Sequence, residues 1–111
     1  MLQKNQRTME VYEEAGAKMR LLKTLGTKTV TAVSRVLSAS DTDKMLRALG
    51  KIDEICSKAE DNMFADHPEL SSEYTDVFYG ASDSRPRGEV DRRMLERMRG
   101  AAHELAEGKQ Y

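Results

Sequence analysis

The sequence predicts an all-α protein, a compact bundle of four to five helices in a single domain over residues 1–111. Apolar residues recur at intervals of three and four along most of the chain, as on one face of a helix. Clusters of Gly, Pro, Ser and Asp separate these segments. The chain does not contain two segments of alternating apolar and polar residues that could pair as strands of a stable sheet. With 111 residues, the chain has the length of one domain.

The first predicted helix covers about residues 3–25. Its apolar positions between Met9 and Leu22 fall on one face. Gly26 stands where a helix C-terminus favours a residue with positive φ. The sequence therefore predicts that this helix ends at Gly26.

The run "TVTAVSRVL", residues 29–37, predicts a second, short helix. Val30, Val33 and Leu37 are spaced by three and four. The β-branched residues would also suit a strand. A helix is favoured because the chain offers no second strand to pair with.

Part of this run, "AVSRVL", resembles the end of the recognition helix in LacI-type repressors. In that family a Gly turn and an apolar anchor precede the helix at fixed spacing. Here Gly26 comes one residue too early and polar residues follow it, so no family is assigned. The alternative function is a small nucleic-acid-binding regulator with a degenerate helix-turn-helix-like segment at 18–37. Its candidate contacts are Lys23, Lys28, Arg35, Arg85, Arg87, Arg92 and Arg93.

The third predicted helix has the clearest pattern, and capping residues of the Ser, Asp and Thr type precede it at 38–43. Its apolar seam has heptad-like spacing. The seam consists of Met45, Leu49, Ile52, Cys56, Ala59 and Met63. Leu46 and Ile55 are expected to widen it into a core-facing stripe. The seam is interpreted as intramolecular packing, with a homodimer contact as the alternative.

Two further helices are predicted in the last part of the chain. Pro68 suits the first turn of a short helix that Gly80 ends. Its apolar face contains Leu70, Tyr74, Val77 and Phe78. Residues 80–89 read as an exposed loop, and the last helix is expected at about 89–107.

The charge layout is the strongest functional indication. The formal charge is +5 over residues 1–51, −8 over 52–83 and +2 over 84–111. The acidic block either complements basic neighbours of the same chain or binds a protein partner with a basic surface. The leading hypothesis is a non-enzymatic interaction or regulatory module, an adaptor or inhibitor of a larger macromolecule. Its candidate partner-binding residues are Asp66, Glu69, Glu73, Tyr74, Asp76, Phe78 and Tyr79.

The sequence contains no recognisable motif for catalysis or for metal binding. No catalytic constellation, phosphate loop or spaced metal-ligand motif occurs, so neither an enzyme nor a metal or cofactor site is predicted. Cys56 lies in the apolar seam and is expected to be an inert thiol. No apolar run has the length of a membrane span, and the first residues do not resemble a secretory signal. A cytoplasmic protein without membrane contact is expected.

Overall fold

The computed structural model describes residues 1–80 and 85–108. Three long helices dominate the chain: α1 at Met9–Val33, α2 at Ala39–Asp66 and α3 at Glu89–Ala106. Two short 3-10 helices lie at Lys4–Gln6 and Ser72–Val77. Within the described residues there is no β-strand, which confirms the all-α prediction. The molecule measures 46 × 31 × 28 Å, so the bundle is only modestly compact.

The predicted break at Gly26 is wrong, because α1 continues through it to Val33. The first predicted helix and most of the run 29–37 therefore form one helix. Gly26 allows α1 to approach α2: a Cβ atom at this position would lie 2.5 Å from Cδ2 of Leu49. Close packing against the end of the Leu49 side chain therefore favours glycine here, and no backbone turn requires it.

The start of α2 agrees with the sequence prediction, since the Ser38 side chain accepts a hydrogen bond from the Asp41 N–H at 3.1 Å. In the predicted seam, Cys56 and Met63 are fully buried and the other four members are half-buried. The expected widening of the seam is wrong. Leu46 and Ile55 lie on its two flanks and are 53% and 57% exposed.

The core lies at one end of the molecule. The first half of α1, the last half of α2, the second 3-10 helix and α3 meet there. Its buried side chains are Tyr12, Ala17, Met63, Val77, Phe78, Val90, Met94, Leu95 and Met98. Aliphatic, Met and a few aromatic side chains fill it, as the composition requires.

The short helix predicted after Pro68 is a 3-10 helix that begins four residues later, at Ser72. Pro68 lies in the turn before it. The predicted apolar face is correct: Val77 and Phe78 are buried, and Leu70 and Tyr74 pack against the core.

The expected loop at 80–89 lies partly outside the described residues, at 81–84. Gly80 has a φ of +151° and Gly88 is the N-cap of α3. Arg85 and Arg87 are exposed between them. The helix expected at 89–107 is confirmed to within one residue.

Candidate interaction surfaces

Asp66, the first of the predicted partner-binding acids, is used inside the molecule. It lies at the last turn of α2 and accepts hydrogen bonds from Arg7 Nε at 2.6 Å and from the Tyr12 hydroxyl at 2.5 Å. These bonds hold the pKa of Asp66 well below its usual range. His67 adds a contact of 2.8 Å between its Nε2 and the Arg7 carbonyl oxygen. Together these contacts attach the N-terminal segment to the end of α2.

Asp76 belongs to a second internal network. It forms an ion pair with Arg87 at 2.7 Å, and its backbone carbonyl accepts a hydrogen bond from Arg20 Nη1 at 2.6 Å. Arg20 also forms an ion pair with Asp91 at 3.0 Å. Burial would raise the pKa of Asp91, but the Arg87 N–H and the Arg20 guanidinium hold it below its ordinary value. The network joins α1, the second 3-10 helix and α3.

Glu73 has a structural role at the start of α3. Its Oε1 accepts a hydrogen bond from the Val90 N–H at 3.1 Å. Gly88, the N-cap of α3, has no side chain that could do this. A carboxylate near this positive helix end is favourable.

The predicted aromatic anchors are largely occupied by internal packing. Phe78 is 1% exposed in the core. Tyr79 is half-buried, and Lys23 Nζ lies 4.1 Å from its ring centroid. Lys23 also donates a hydrogen bond to the Phe78 carbonyl at 2.9 Å. Tyr74 is half-buried against the core. Aromatic side chains therefore supply little of the accessible surface here.

Glu69 is the predicted acid that stays most available, with 70% of its side chain exposed and only a 3.7 Å contact with His67 Nδ1. Three other exposed acids lie on α2, outside the predicted set. Among the described residues, Asp53 forms one ion pair, with Lys23 at 3.4 Å. Glu54 and Asp61 have no ion-pair partner among the described residues. Glu60, beside Asp61, is half-buried. Its pKa is raised by burial and by the Asp61 charge.

The nucleic-acid candidates are scattered, and most are paired. Lys23 and Arg87 make the contacts described above. Arg92 bridges Glu89 and Glu96, and Arg93 binds Glu13. The remaining members of that set are exposed and have no ion-pair partner among the described residues: Lys28, Arg35 and Arg85. The helix-turn-helix geometry expected at 18–37 is absent, because residues 18–33 form uninterrupted helix.

Sequence reasoning missed two buried charges on α1, Glu13 and Arg20, which are 6% and 1% exposed. Glu13 accepts hydrogen bonds from Arg93 Nε at 2.7 Å and Arg97 Nε at 3.2 Å. The two residues are seven positions apart and share the apolar face that contains Tyr12. The sequence signal that could have revealed both residues is a charged residue at an apolar position of a helix face, because such a charge must be paired when it is buried.

The structure bears on two further kinds of site in residues 1–80 and 85–108, a metal site and a membrane-spanning helix. No group of three or more His, Cys, Asp or Glu side chains in this part is placed to hold a metal ion. No described helix is both long and apolar enough to cross a bilayer. No model of a known protein family, no curated protein sequence and no solved structure matches the chain.

Proposed function

We propose that the protein is a small non-enzymatic interaction module, an adaptor or inhibitor, that binds a basic surface of a larger protein through an acidic helical face. The face consists of the outer side of the second half of α2 and one acid in the turn that follows the helix. It comprises Glu54, Asp61 and Glu69, with Asp53 and Glu60 at its edge.

The observation that carries this proposal is the division of the acidic block into two sets. Asp66, Glu73 and Asp76 have cationic or backbone partners within the fold. Glu54 and Asp61 have no ion-pair partner among the described residues. Folding accounts for the first set only. The exposed Lys58 lies within one turn of both acids, so this surface carries an acidic excess and not charge of one sign. Such an excess attracts a partner of the opposite sign and selects against others.

Glu60 supports the same interpretation. Its Oε2 is buried without a hydrogen-bond partner among the described residues, and Asp61 is the next residue. Burial of an unpaired carboxylate oxygen opposes folding, and the adjacent negative charge adds to this cost. A cation from a partner beside the exposed Asp61 would reduce the electrostatic part of this cost, to which Lys23 of the same chain already contributes.

The test is capture of binding proteins from native lysate by the tagged protein, with and without nuclease. The double reversal Glu54→Lys with Asp61→Lys should remove a nuclease-resistant partner. Both side chains are exposed, so the helical circular dichroism signal should stay unchanged. Reversal of Glu73 or Asp76 would be less informative because both residues hold the fold together.

A control for net charge places the same charge change on α3, as Glu96→Lys with Glu104→Lys, although the first change also removes the exposed pair with Arg92. This variant should retain the partner. Equal loss with both double variants would show that net charge, and not the α2 face, decides binding. A captured partner that disappears with nuclease would favour nucleic-acid binding through exposed cations instead, with affinity that falls steeply with salt.

A further inference from the structure

Lys23 of α1 reaches the edge of the acidic helical face on α2. Its Nζ lies 3.4 Å from Asp53 Oδ1, donates a hydrogen bond to the Phe78 carbonyl oxygen at 2.9 Å and lies 4.1 Å from the Tyr79 ring centroid. The side chain of Lys23 is 20% exposed, whereas that of Asp53 is 60% exposed. A cation of the fold therefore lies beside an acid that would also attract the cations of a partner.

The three contacts of Lys23 differ in strength. The hydrogen bond to the Phe78 carbonyl has an ordinary length, and the Tyr79 ring lies within the distance of a cation–π interaction. The contact with Asp53 is longer than a charge-assisted hydrogen bond of about 2.7–2.9 Å, and water screens it because Asp53 is mostly exposed. Asp53 can therefore turn to another cation while Lys23 keeps its other two contacts.

The charge of Lys23 also acts on Glu60. Glu60 follows Asp53 by seven positions, which places both residues on the same side of α2. Burial and the Asp61 charge raise the pKa of Glu60, and the Lys23 charge opposes this rise. The Oε2 atom of Glu60 is buried with no hydrogen-bond partner among the described residues. Lys23 thus offsets negative charge at two acids along the edge of the face.

We propose that Lys23 is an internal competitor of the partner, because it offsets the charges of Asp53 and Glu60 in the free protein and so limits the affinity of the acidic helical face. This inference rests on the proposed function. A partner has to bring enough positive charge to take Asp53 from Lys23, which favours strongly basic surfaces over weakly basic ones. Lys23 is thus a specificity-determining residue that acts through these two acids.

Fluorescence anisotropy of a labelled decalysine peptide, titrated with the full chain at low salt, tests the inference. Lys23→Met removes the charge and keeps an unbranched side chain against the Tyr79 ring. The affinity should rise about threefold or more, because charges a few ångströms apart are only partly screened at low ionic strength. Lys18→Met is the matched control, since it changes the net charge equally but Lys18 lines the groove between α1 and α3. Its affinity should stay within about twofold of that of the original chain.

The outcomes separate this inference from the proposed function. Peptide binding by the original chain without a gain in Lys23→Met, or with an equal gain in Lys18→Met, would overturn the inference alone. Lack of binding by the original chain and by Lys23→Met would overturn both. In an Asp53→Asn background the gain from Lys23→Met should shrink, and a gain of full size there would show that Lys23 does not act through Asp53. Circular dichroism verifies that each variant remains folded.

Discussion

Arg20 and Asp91 form an ion pair at 3.0 Å, and their side chains are 0% and 1% exposed. Arg20 lies in the middle of α1 and Asp91 in the first turn of α3. This pair and the pairs of Glu13 with Arg93 and Arg97 join α3 to α1 beside the apolar side chains of α3 that are buried in the core.

Removal of one member of the Arg20–Asp91 pair should destabilise the protein strongly. Asp91→Asn removes the negative charge that Arg20 Nη2 faces at 3.0 Å in the interior, and we expect a loss of up to about 5 kcal/mol in the free energy of unfolding. Urea denaturation followed by circular dichroism measures it. The control is Asp43→Asn, which breaks an exposed pair with Arg47 and should change stability by less than about 1 kcal/mol. Similar losses of stability in both variants would show that burial does not increase the contribution of the Arg20–Asp91 pair to the free energy of unfolding.

The helical glycines should divide into two classes when replaced by alanine. At Gly16 a Cβ atom would lie 2.3 Å from the Val77 carbonyl oxygen, which belongs to the backbone and cannot easily move. Gly16→Ala should therefore cost about 1–3 kcal/mol or more. At Gly50 and Gly100 the added Cβ meets nothing within 4 Å, so alanine there should stabilise the protein by roughly 0.5–1 kcal/mol. Thermal melts compare the three variants, and a stabilising Gly16→Ala would contradict the close contact with Val77.

The Asp66 contacts should make the fold sensitive to acid. The pKa of Asp66 is lower in the folded protein than in the unfolded chain. Its contribution is therefore fully present above the unfolded pKa of about 4 and is lost as the pH falls further. Asp66→Asn should reduce stability at pH 7 and flatten its decline below pH 4. Some decline should remain, because Arg97 and Arg92 also lower the pKa values of Glu10 and Glu89.

The intermediate variant for this prediction is Tyr12→Phe, which removes one of the hydrogen bonds to Asp66. It should flatten the pH dependence less than Asp66→Asn does. Denaturation midpoints measured from pH 2 to pH 7 provide the comparison. An Asp66→Asn variant with the same slope as the original chain would show that this carboxylate is not linked to folding.

Cys56 should react slowly with thiol reagents in the folded protein. The side chain is fully buried, and burial raises the pKa of its thiol. Since the thiolate is the reactive form, labelling with a disulfide reagent should require opening of the fold. The rate should rise to that of an ordinary thiol in urea, and the destabilised Gly16→Ala variant should react faster than the original chain. Rapid labelling in native buffer would contradict the packing around Cys56.

Much of the architecture could be predicted from local patterns. The Ser38 cap, the apolar seam of α2 and the extent of α3 depend on residues within a few turns of one another. The cap and the extent of α3 are confirmed, and the seam is confirmed in part, since only Cys56 and Met63 are fully buried. The prediction that the first helix ends at Gly26 is wrong, because a glycine suits both a helix end and a close contact between two helices. Only the position of Leu49 on α2 distinguishes these two roles.

The candidate surface was predictable only as a charge imbalance. The sequence by itself determined that residues 52–83 are strongly acidic and that the chain forms amphipathic helices, because both properties are local. Only the tertiary structure decided which acids remain available. Asp66 meets Arg7 across 59 positions and Asp76 meets Arg87 across the loop, whereas Glu54 and Asp61 face outward. Pairing between distant charges depends on how helices dock, and no spacing along one helix encodes it.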